Sequence, residues 1–124
     1  MLKKFFKNSG PQFKHLKDVW LEYFCTRLRV KTLRYNDILK SRHNEADTIY
    51  FIITGQISVY DPRFDSDEYV LVNQYHPGMS VCDPAQNQTA SYFSRVIVTS
   101  KEPTRVFYMS KETYINIYVE EINK

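Results

Sequence analysis

Three residues in one short segment have side chains that can bind a metal. His43, Glu45 and Asp47 lie within five positions of each other, and imidazole and carboxylate groups are common ligands of divalent metals. Metal-binding β-rolls use several histidines at close spacing, whereas this segment has one. The other two histidines, His15 and His76, are expected on a helix and at a turn. A solvated polar loop is therefore the preferred interpretation.

A second pair of residues has the types needed for nucleophilic catalysis. Cys82 can supply a thiolate, and His76 can supply a base. No flanking motif places the two side chains together, so Cys82 is predicted to be a structural cysteine beside a turn. Cys25 is the other cysteine, and no CxxC spacing exists. Two buried free thiols are expected, with a disulfide left open.

A basic row, formed by Arg27, Arg29, Lys31 and Arg34, can meet an acidic partner or nucleic acid. Charge on an edge strand also prevents edge-to-edge aggregation, and a solvated edge strand is the preferred interpretation. The net charge of +3 is too mild to indicate a nucleic-acid binder.

Two amphipathic helices are predicted, one at each end of the chain. The first is expected to start at residues 9–11, where Pro11 suits the first helical position, and its apolar residues recur at helical spacing as far as Leu28. In the second helix, Ser110 is the predicted N-cap and Glu112 favours the positive end of the helix dipole.

Short strands separated by turns are predicted between the two helices. Asn36, Gly55 and Gly78 mark turns, and Asn tolerates a left-handed backbone better than most residues. The predicted strands are residues 28–32, 38–40, 48–54, 57–60, 69–75, 94–99 and 104–109. This pattern predicts a mainly β fold with flanking helices, of the roll, sandwich or barrel type with jelly-roll character.

Length and composition indicate one globular domain. The 124 residues are 43% hydrophobic and 25% charged. Residues 1–10 are predicted to be a basic extension, interpreted as a frayed terminus rather than a lipid-binding segment, and residues 11–124 a single domain. The sequence has no apolar run of membrane-spanning length and no signal-peptide pattern, so an intracellular, cytoplasmic location is expected.

A spaced set of features gives a family resemblance. Residues 45–60 contain a small acidic loop, an apolar strand, a glycine and a second strand. The turn before Ile38, the Pro77-Gly78 turn and the final strands and helix follow at the expected distances. The stretch 20–118 therefore resembles the cyclic nucleotide-binding domain of kinase regulatory subunits, gated channels and CRP-like regulators. A weaker similarity points to the Popeye subfamily. The resemblance implies a β-roll flanked by helices.

The resemblance also implies a phosphate-binding cassette after the Pro-Gly turn. In the family, backbone amides and an Arg bind the cyclic phosphate, and a Gly-Glu pair starts a short helix whose Glu binds the ribose. The Gly-Glu pair falls on Cys82-Asp83, and the Arg position falls on Phe93, which cannot pair with an anion. Arg95 is expected to share a strand face with Phe93 and to replace the phosphate contact. The candidate ligand-binding residues are Cys82, Asp83, Ala85, Phe93, Ser94 and Arg95.

These observations lead to one main hypothesis and two alternatives. The main hypothesis is a non-catalytic regulatory or scaffolding module with a degenerate ligand cassette, which acts through contacts with other protein chains. The first alternative is a sensor that binds cAMP or cGMP through a rearranged cassette. The distant alternative is a cupin-type metalloprotein. No cofactor is certain, and cAMP or cGMP is the candidate ligand. No nucleic-acid partner, membrane span or enzymatic activity is expected.

Overall fold

The computed structural model describes residues 5–6, 17–40, 47–63, 68–83 and 94–122, without the side chains of residues 18 and 118–122. The predicted helix start at residues 9–11 and the polar loop at 41–46 lie outside this description. The elements, in chain order, are α1 (Asp18–Thr26), β1 (Arg29–Leu33), β2 (Ile38–Lys40), β3 (Thr48–Thr54), β4 (Ile57–Pro62), β5 (Tyr69–Tyr75), β6 (Ser80–Val81), β7 (Arg95–Val98), β8 (Thr104–Ser110) and α2 (Lys111–Ile122).

The strands form two antiparallel sheets of four strands each. The first sheet has the order β1-β8-β3-β6, and the second has the order β2-β7-β4-β5. Neighbours in each sheet are distant in sequence except for β4 and β5, which is the crossed connectivity of a β-roll. The prediction of a mainly β, jelly-roll-like fold with flanking helices is confirmed.

Apolar side chains from both sheets meet in a core between them. Alternate residues of β3, β7 and β8 point into this core because successive side chains of a strand point to opposite faces. We call this cluster the roll core; it consists of Leu33, Tyr50, Ile52, Ile57, Val59, Tyr75, Val81, Cys82, Val96, Val98 and Val106.

A second cluster lies between the first sheet and the helices. The remaining alternate residues of β3 and β8 contact α1 and α2 there. We call it the helix core; it consists of Phe6, Leu21, Phe24, Ile49, Phe51, Met109, Tyr114 and Ile117. The first sheet is thus covered on both faces.

The buried Phe6 corrects the expectation of a frayed N-terminus. Its side chain is 0% exposed, and its ring makes edge contacts with Phe24 and Phe51 at centroid distances of 5.1 and 5.0 Å. Phe5 packs against the same cluster. At these two residues the terminal segment belongs to the core, because burying two aromatic side chains outweighs the entropy lost by ordering the backbone.

Strand β1 lies at the edge of its sheet, as predicted. The helix before it ends at Thr26, so Leu28 lies outside the helix. Val30 and Thr32 are both exposed, and only Leu33 of this strand is buried. The reason is that β1 is at the edge of its sheet, where the helices do not cover it. The solvated basic edge strand is confirmed.

Three turn predictions and one helix-cap prediction are confirmed. Asn36, Gly55 and Gly78 have φ values of 70°, 97° and 88°, all in the left-handed region. At Gly55, an added Cβ would lie 2.1 Å from the Thr104 Oγ1, so the close approach also requires glycine. Ser110 Oγ accepts a 3.1 Å hydrogen bond from the backbone N–H of Thr113, which is an N-cap contact.

No helix within the described ranges is long and apolar enough to cross a membrane.

Candidate functional site

Cys82 lies directly after β6, where the chain leaves the first sheet. Its backbone has φ 63°, a left-handed conformation that costs a non-glycine residue about 1 kcal/mol or more. In the cassette pattern this position belongs to glycine, which adopts the conformation without strain. The Cys82 side chain packs in the roll core, where burial raises the pKa of its thiol to about 11. Cys25 is half-buried, and the two cysteines form no disulfide.

Asp83 is fully buried, and its carboxylate is engaged by hydroxyl groups. Oδ2 accepts hydrogen bonds from Ser80 Oγ at 3.1 Å and from the Tyr114 hydroxyl at 2.9 Å. Tyr114 belongs to the helix core, so this carboxylate connects the end of β6 to α2. Buried carboxylates are costly unless hydrogen-bonded, and these two contacts offset part of that cost.

Ser94 lies just before β7 and is also buried. Its hydroxyl donates a short hydrogen bond to Asp61 Oδ1 on β4. Its backbone carbonyl accepts a 2.9 Å hydrogen bond from Lys40 Nζ on β2. The three strands that meet here are neighbours in the second sheet, in the order β2-β7-β4. We call Lys40, Asp61 and Ser94 the polar cluster.

The ammonium group of Lys40 is the unusual member of the polar cluster. Lys40 is 5% exposed, and burial lowers the pKa of its amine below the ordinary value of 10.5. The negative charges of Cys82, once its thiol ionises, and of Asp61 raise this pKa in turn. The buried ammonium group can pair with an anionic ligand group, whereas the Asp61 carboxylate beside it repels one.

Arg95 lies apart from the polar cluster. Its guanidinium carbon is 4.3 Å from the centroid of the Tyr69 ring on β5, a cation–π contact. Arg95 is exposed, whereas Val96 and Val98 on the same strand are in the roll core. Strand alternation therefore places the guanidinium on the outer face of the second sheet.

The structure brings some of the predicted site residues together and leaves others outside. Cys82 and Ser94 both lie near Lys40, while Asp83 is turned toward α2 and Arg95 toward solvent. Ala85 and Phe93 fall outside the described residues.

Three further site residues were missed by the sequence analysis: Lys40, Asp61 and Tyr114. The signal for Lys40 was a lysine that ends a short apolar strand. Nothing local in the sequence indicates the other two, because their partners are far away along the chain.

The positions of the described residues also bear on the catalytic and metal-binding alternatives. His76 is exposed, and the pKa of Cys82 keeps its thiol protonated near neutral pH. Asp47 is exposed. The other two residues of the hypothetical metal site, His43 and Glu45, fall outside the described residues. Among the residues that are described, no group of three or more His, Cys, Asp and Glu side chains can hold a metal ion.

Solved structures with this fold include cyclic nucleotide-binding proteins. A cyclic nucleotide-binding-like protein from Brucella abortus shares 17% identity, with a TM-score of 0.69 over 94% of this chain and 97% of that one. The regulatory domain of Toxoplasma gondii PKA, co-crystallised with cAMP, shares 16% identity, with a TM-score of 0.73 over 94% of this chain and 42% of that one.

A third neighbour is the regulatory subunit of a cAMP-independent protein kinase A from Trypanosoma cruzi, bound to guanosine. It shares 15% identity, with a TM-score of 0.71, and the match covers 86% of this chain and 37% of that one. No protein-family profile and no curated protein sequence matches the chain. The chain has the fold of cyclic nucleotide-binding domains, and it spans less than half the length of the two kinase regulatory chains.

Proposed function

We propose that the chain is a non-catalytic regulatory module that acts through protein contacts and does not bind cyclic nucleotides in the manner of the family. The observation that carries this proposal is the position of Asp83. Its buried carboxylate accepts from Ser80 and Tyr114 at 3.1 and 2.9 Å, so a ribose hydroxyl would have to replace contacts already made inside the protein.

The position of Arg95 supports the same proposal. A guanidinium that substitutes for the cassette arginine has to reach the space between the sheets. Arg95 instead lies over Tyr69 on the outer face of the second sheet. Losing a charge-assisted contact of this kind weakens ligand binding by about one to two orders of magnitude.

A second function, that of a nucleotide sensor, is favoured by Lys40. Its buried ammonium group donates to the Ser94 carbonyl, close to the end of the candidate cassette. In this alternative Lys40 takes over the phosphate contact from the missing arginine. Solved neighbours with the same fold are bound to cAMP and to guanosine.

Calorimetric titration separates the two functions. The purified chain is titrated with cAMP, cGMP and guanosine up to about 1 mM, a concentration at which even weak specific sites fill. The expected result is no saturable heat and no rise in the unfolding temperature. Micromolar binding would overturn the proposal.

Variants then identify the residues responsible for any binding. Lys40→Met removes the buried cation, Arg95→Ala removes the outer guanidinium, and Lys101→Met is the matched control because Lys101 is exposed. Binding that is lost only in Lys40→Met would establish the sensor function with Lys40 as the phosphate contact. Binding that is lost only in Arg95→Ala would mean that the cassette rearranges around the ligand.

A further inference from the structure

A cleft lies on the surface where the two helices meet the edge of the first sheet, away from the candidate cassette. It has a volume of about 460 Å³, and its walls come from the end of α1, the start of β1, the end of β8 and the first turn of α2. The residues that line it are Thr26, Arg27, Leu28, Arg29, Tyr108, Met109, Ser110 and Thr113.

A smaller cleft of about 210 Å³ continues this one between α1 and α2. Arg27 and Thr113 line both, and Tyr23, Asn116 and Ile117 complete the smaller one. The two together form a groove, which we call the helix groove. The larger cleft lies at the edge of the sheet and the smaller one between the helices, so a ligand that fills both contacts several elements, as a stretch of polypeptide can and a single ion cannot.

Arg27 is held in place at the junction of the two clefts. Its Nη2 donates a 3.0 Å hydrogen bond to the Tyr23 hydroxyl, and its guanidinium carbon is 4.9 Å from the centroid of the same ring. Tyr23 lies one helical turn earlier on α1, so the contact restricts the arginine to one orientation. A guanidinium ordered in this way loses less entropy when it binds an anion.

Arg29 supplies a second positive charge on the wall of the larger cleft. It is the first residue of β1, is exposed, and pairs with Tyr108 of β8, which lines the same cleft. Because the backbone of Arg29 is paired in the sheet, its Cα has a fixed position on the wall of the cleft.

The charged side chains that line the helix groove are all positive. Two arginines line it, and none of its lining residues, all of which belong to the described part of the chain, carries a carboxylate. The hydroxyls of Thr26 and Ser110 are donated to Tyr23 O and to Thr113 Oγ1, so the arginines remain the main donors for a ligand. Guanidinium groups recognise carboxylates through paired, charge-assisted hydrogen bonds.

We infer that the helix groove docks an acidic segment of a partner protein, through Arg27 and Arg29. The inference rests on the proposed function, because it names the surface and the chemistry of the protein contact through which the module acts. A segment rich in Asp or Glu has the complementary charge, and its carboxylates can pair with the guanidinium groups of Arg27 and Arg29, which both line the larger cleft.

The single tryptophan of the chain provides the readout. Trp20 is on α1, and its ring is 6.2 Å from that of Tyr23, which lines the groove. An octaglutamate peptide is titrated into the full chain at low salt while Trp20 fluorescence is followed, with octaglutamine as the uncharged control peptide. The expected result is a saturable change for octaglutamate alone, which weakens as salt is added.

Two double variants test the residues. Arg27→Gln with Arg29→Gln removes the groove charges, and Lys101→Gln with Arg105→Gln removes two exposed charges from the opposite end of β8. The groove variant is expected to bind octaglutamate on the order of tenfold more weakly, and the control variant within about twofold of the parent. Circular dichroism and the unfolding temperature verify that each variant is folded.

The outcomes separate this inference from the proposed function. Equal affinities for the groove variant and the parent, or no saturable response to octaglutamate, would overturn the groove as a docking site. Adding cAMP to the same samples tests the proposed function independently, since tight nucleotide binding would overturn that function whether or not the groove binds the peptide.

Discussion

The Tyr114 hydroxyl on α2 donates a 2.9 Å hydrogen bond to Oδ2 of the buried Asp83 carboxylate at the end of β6. This contact joins the candidate cassette to the C-terminal helix without passing through the roll core. Any change that moves α2 therefore alters the surroundings of Asp83, and any ligand that takes Asp83 away from Tyr114 loosens α2. Within the described residues, the pair is a direct hydrogen-bonded link between the end of β6 and α2.

Tyr114→Phe tests the strength of this link. Removing the hydroxyl deprives a fully buried carboxylate of one donor, which is expected to lower the free energy of unfolding by about 1–3 kcal/mol. Tyr35→Phe is the matched control, since Tyr35 is 50% exposed and its loss of a hydroxyl should change stability by less than about 0.5 kcal/mol. Urea denaturation of both variants gives the two values. Equal stabilities for the two variants would show that the hydrogen bond contributes nothing.

Phe6→Ala tests whether the N-terminal segment is part of the core. The Phe6 ring is buried against Phe24 and Phe51, so truncation leaves a cavity and is expected to cost about 3–5 kcal/mol of unfolding free energy. Tyr35→Ala, at an exposed aromatic, should cost far less. Thermal and urea unfolding measure both variants. If Phe6→Ala were as stable as Tyr35→Ala, the N-terminal contact would not exist in solution.

Two glycines with similar backbone angles should respond differently to the same substitution. Gly55→Ala meets Thr104 Oγ1 at 2.1 Å and the Thr104 Cα at 2.7 Å, whereas Gly78→Ala has nothing within 4 Å. Gly78→Ala is expected to cost only the left-handed strain of about 1–2 kcal/mol. Gly55→Ala adds a steric clash, so its total is about 2–5 kcal/mol. Denaturant unfolding measures the free energy of unfolding of both variants. A larger loss of stability in Gly78→Ala than in Gly55→Ala would contradict the geometry of the β3–β4 turn.

The buried thiol of Cys82 should give stability a dependence on alkaline pH. Burial raises its pKa from 9.0 to about 11, so above pH 9 the unfolded chain releases a proton that the folded chain retains. The stability that Cys82 contributes is complete below pH 9 and is lost as pH rises through 11, by about 2 kcal/mol at pH 11.

Cys82→Ala is the comparison that isolates this effect. Alanine keeps a Cβ at the left-handed position but cannot ionise, and all other titrating groups are shared with the parent. The difference between parent and variant in unfolding free energy is measured from pH 8 to pH 11. The parent is expected to lose stability relative to the variant across this interval. A constant difference would show that the thiol is not buried in solution.

Local signals explain the parts of the fold that could be predicted from the sequence. The apolar, β-branched run of β3, the turn residues Asn36 and Gly55, and the Ser110 cap each depend on residues within a few positions. The exposure of Val30 was not predictable, because alternation identifies two strand faces but does not reveal that β1 lies at an edge without a cover.

In the candidate site, too, local signals locate some residues and not others. The sequence pointed to the segment after Gly78 and to Cys82 and Asp83, because the spacing of turn and strand signals locates that segment. It did not point to Lys40 or Tyr114, whose partners Ser94 and Asp83 lie 54 and 31 positions away.

The sequence by itself determined the two helices, seven of the eight strands in the described residues, and the left-handed turns at Asn36, Gly55 and Gly78, since these depend on local backbone preference and side-chain periodicity. It did not predict the short strand β6 or the left-handed backbone of Cys82. Only the tertiary structure decided which polar groups satisfy one another. The order in which strands and helices pack brings Lys40 to Ser94 and Tyr114 to Asp83, and each buried polar group must take its partner from that packing. Whether Asp83 serves a ligand or the fold is therefore a property of the packed chain, not of its cassette motif.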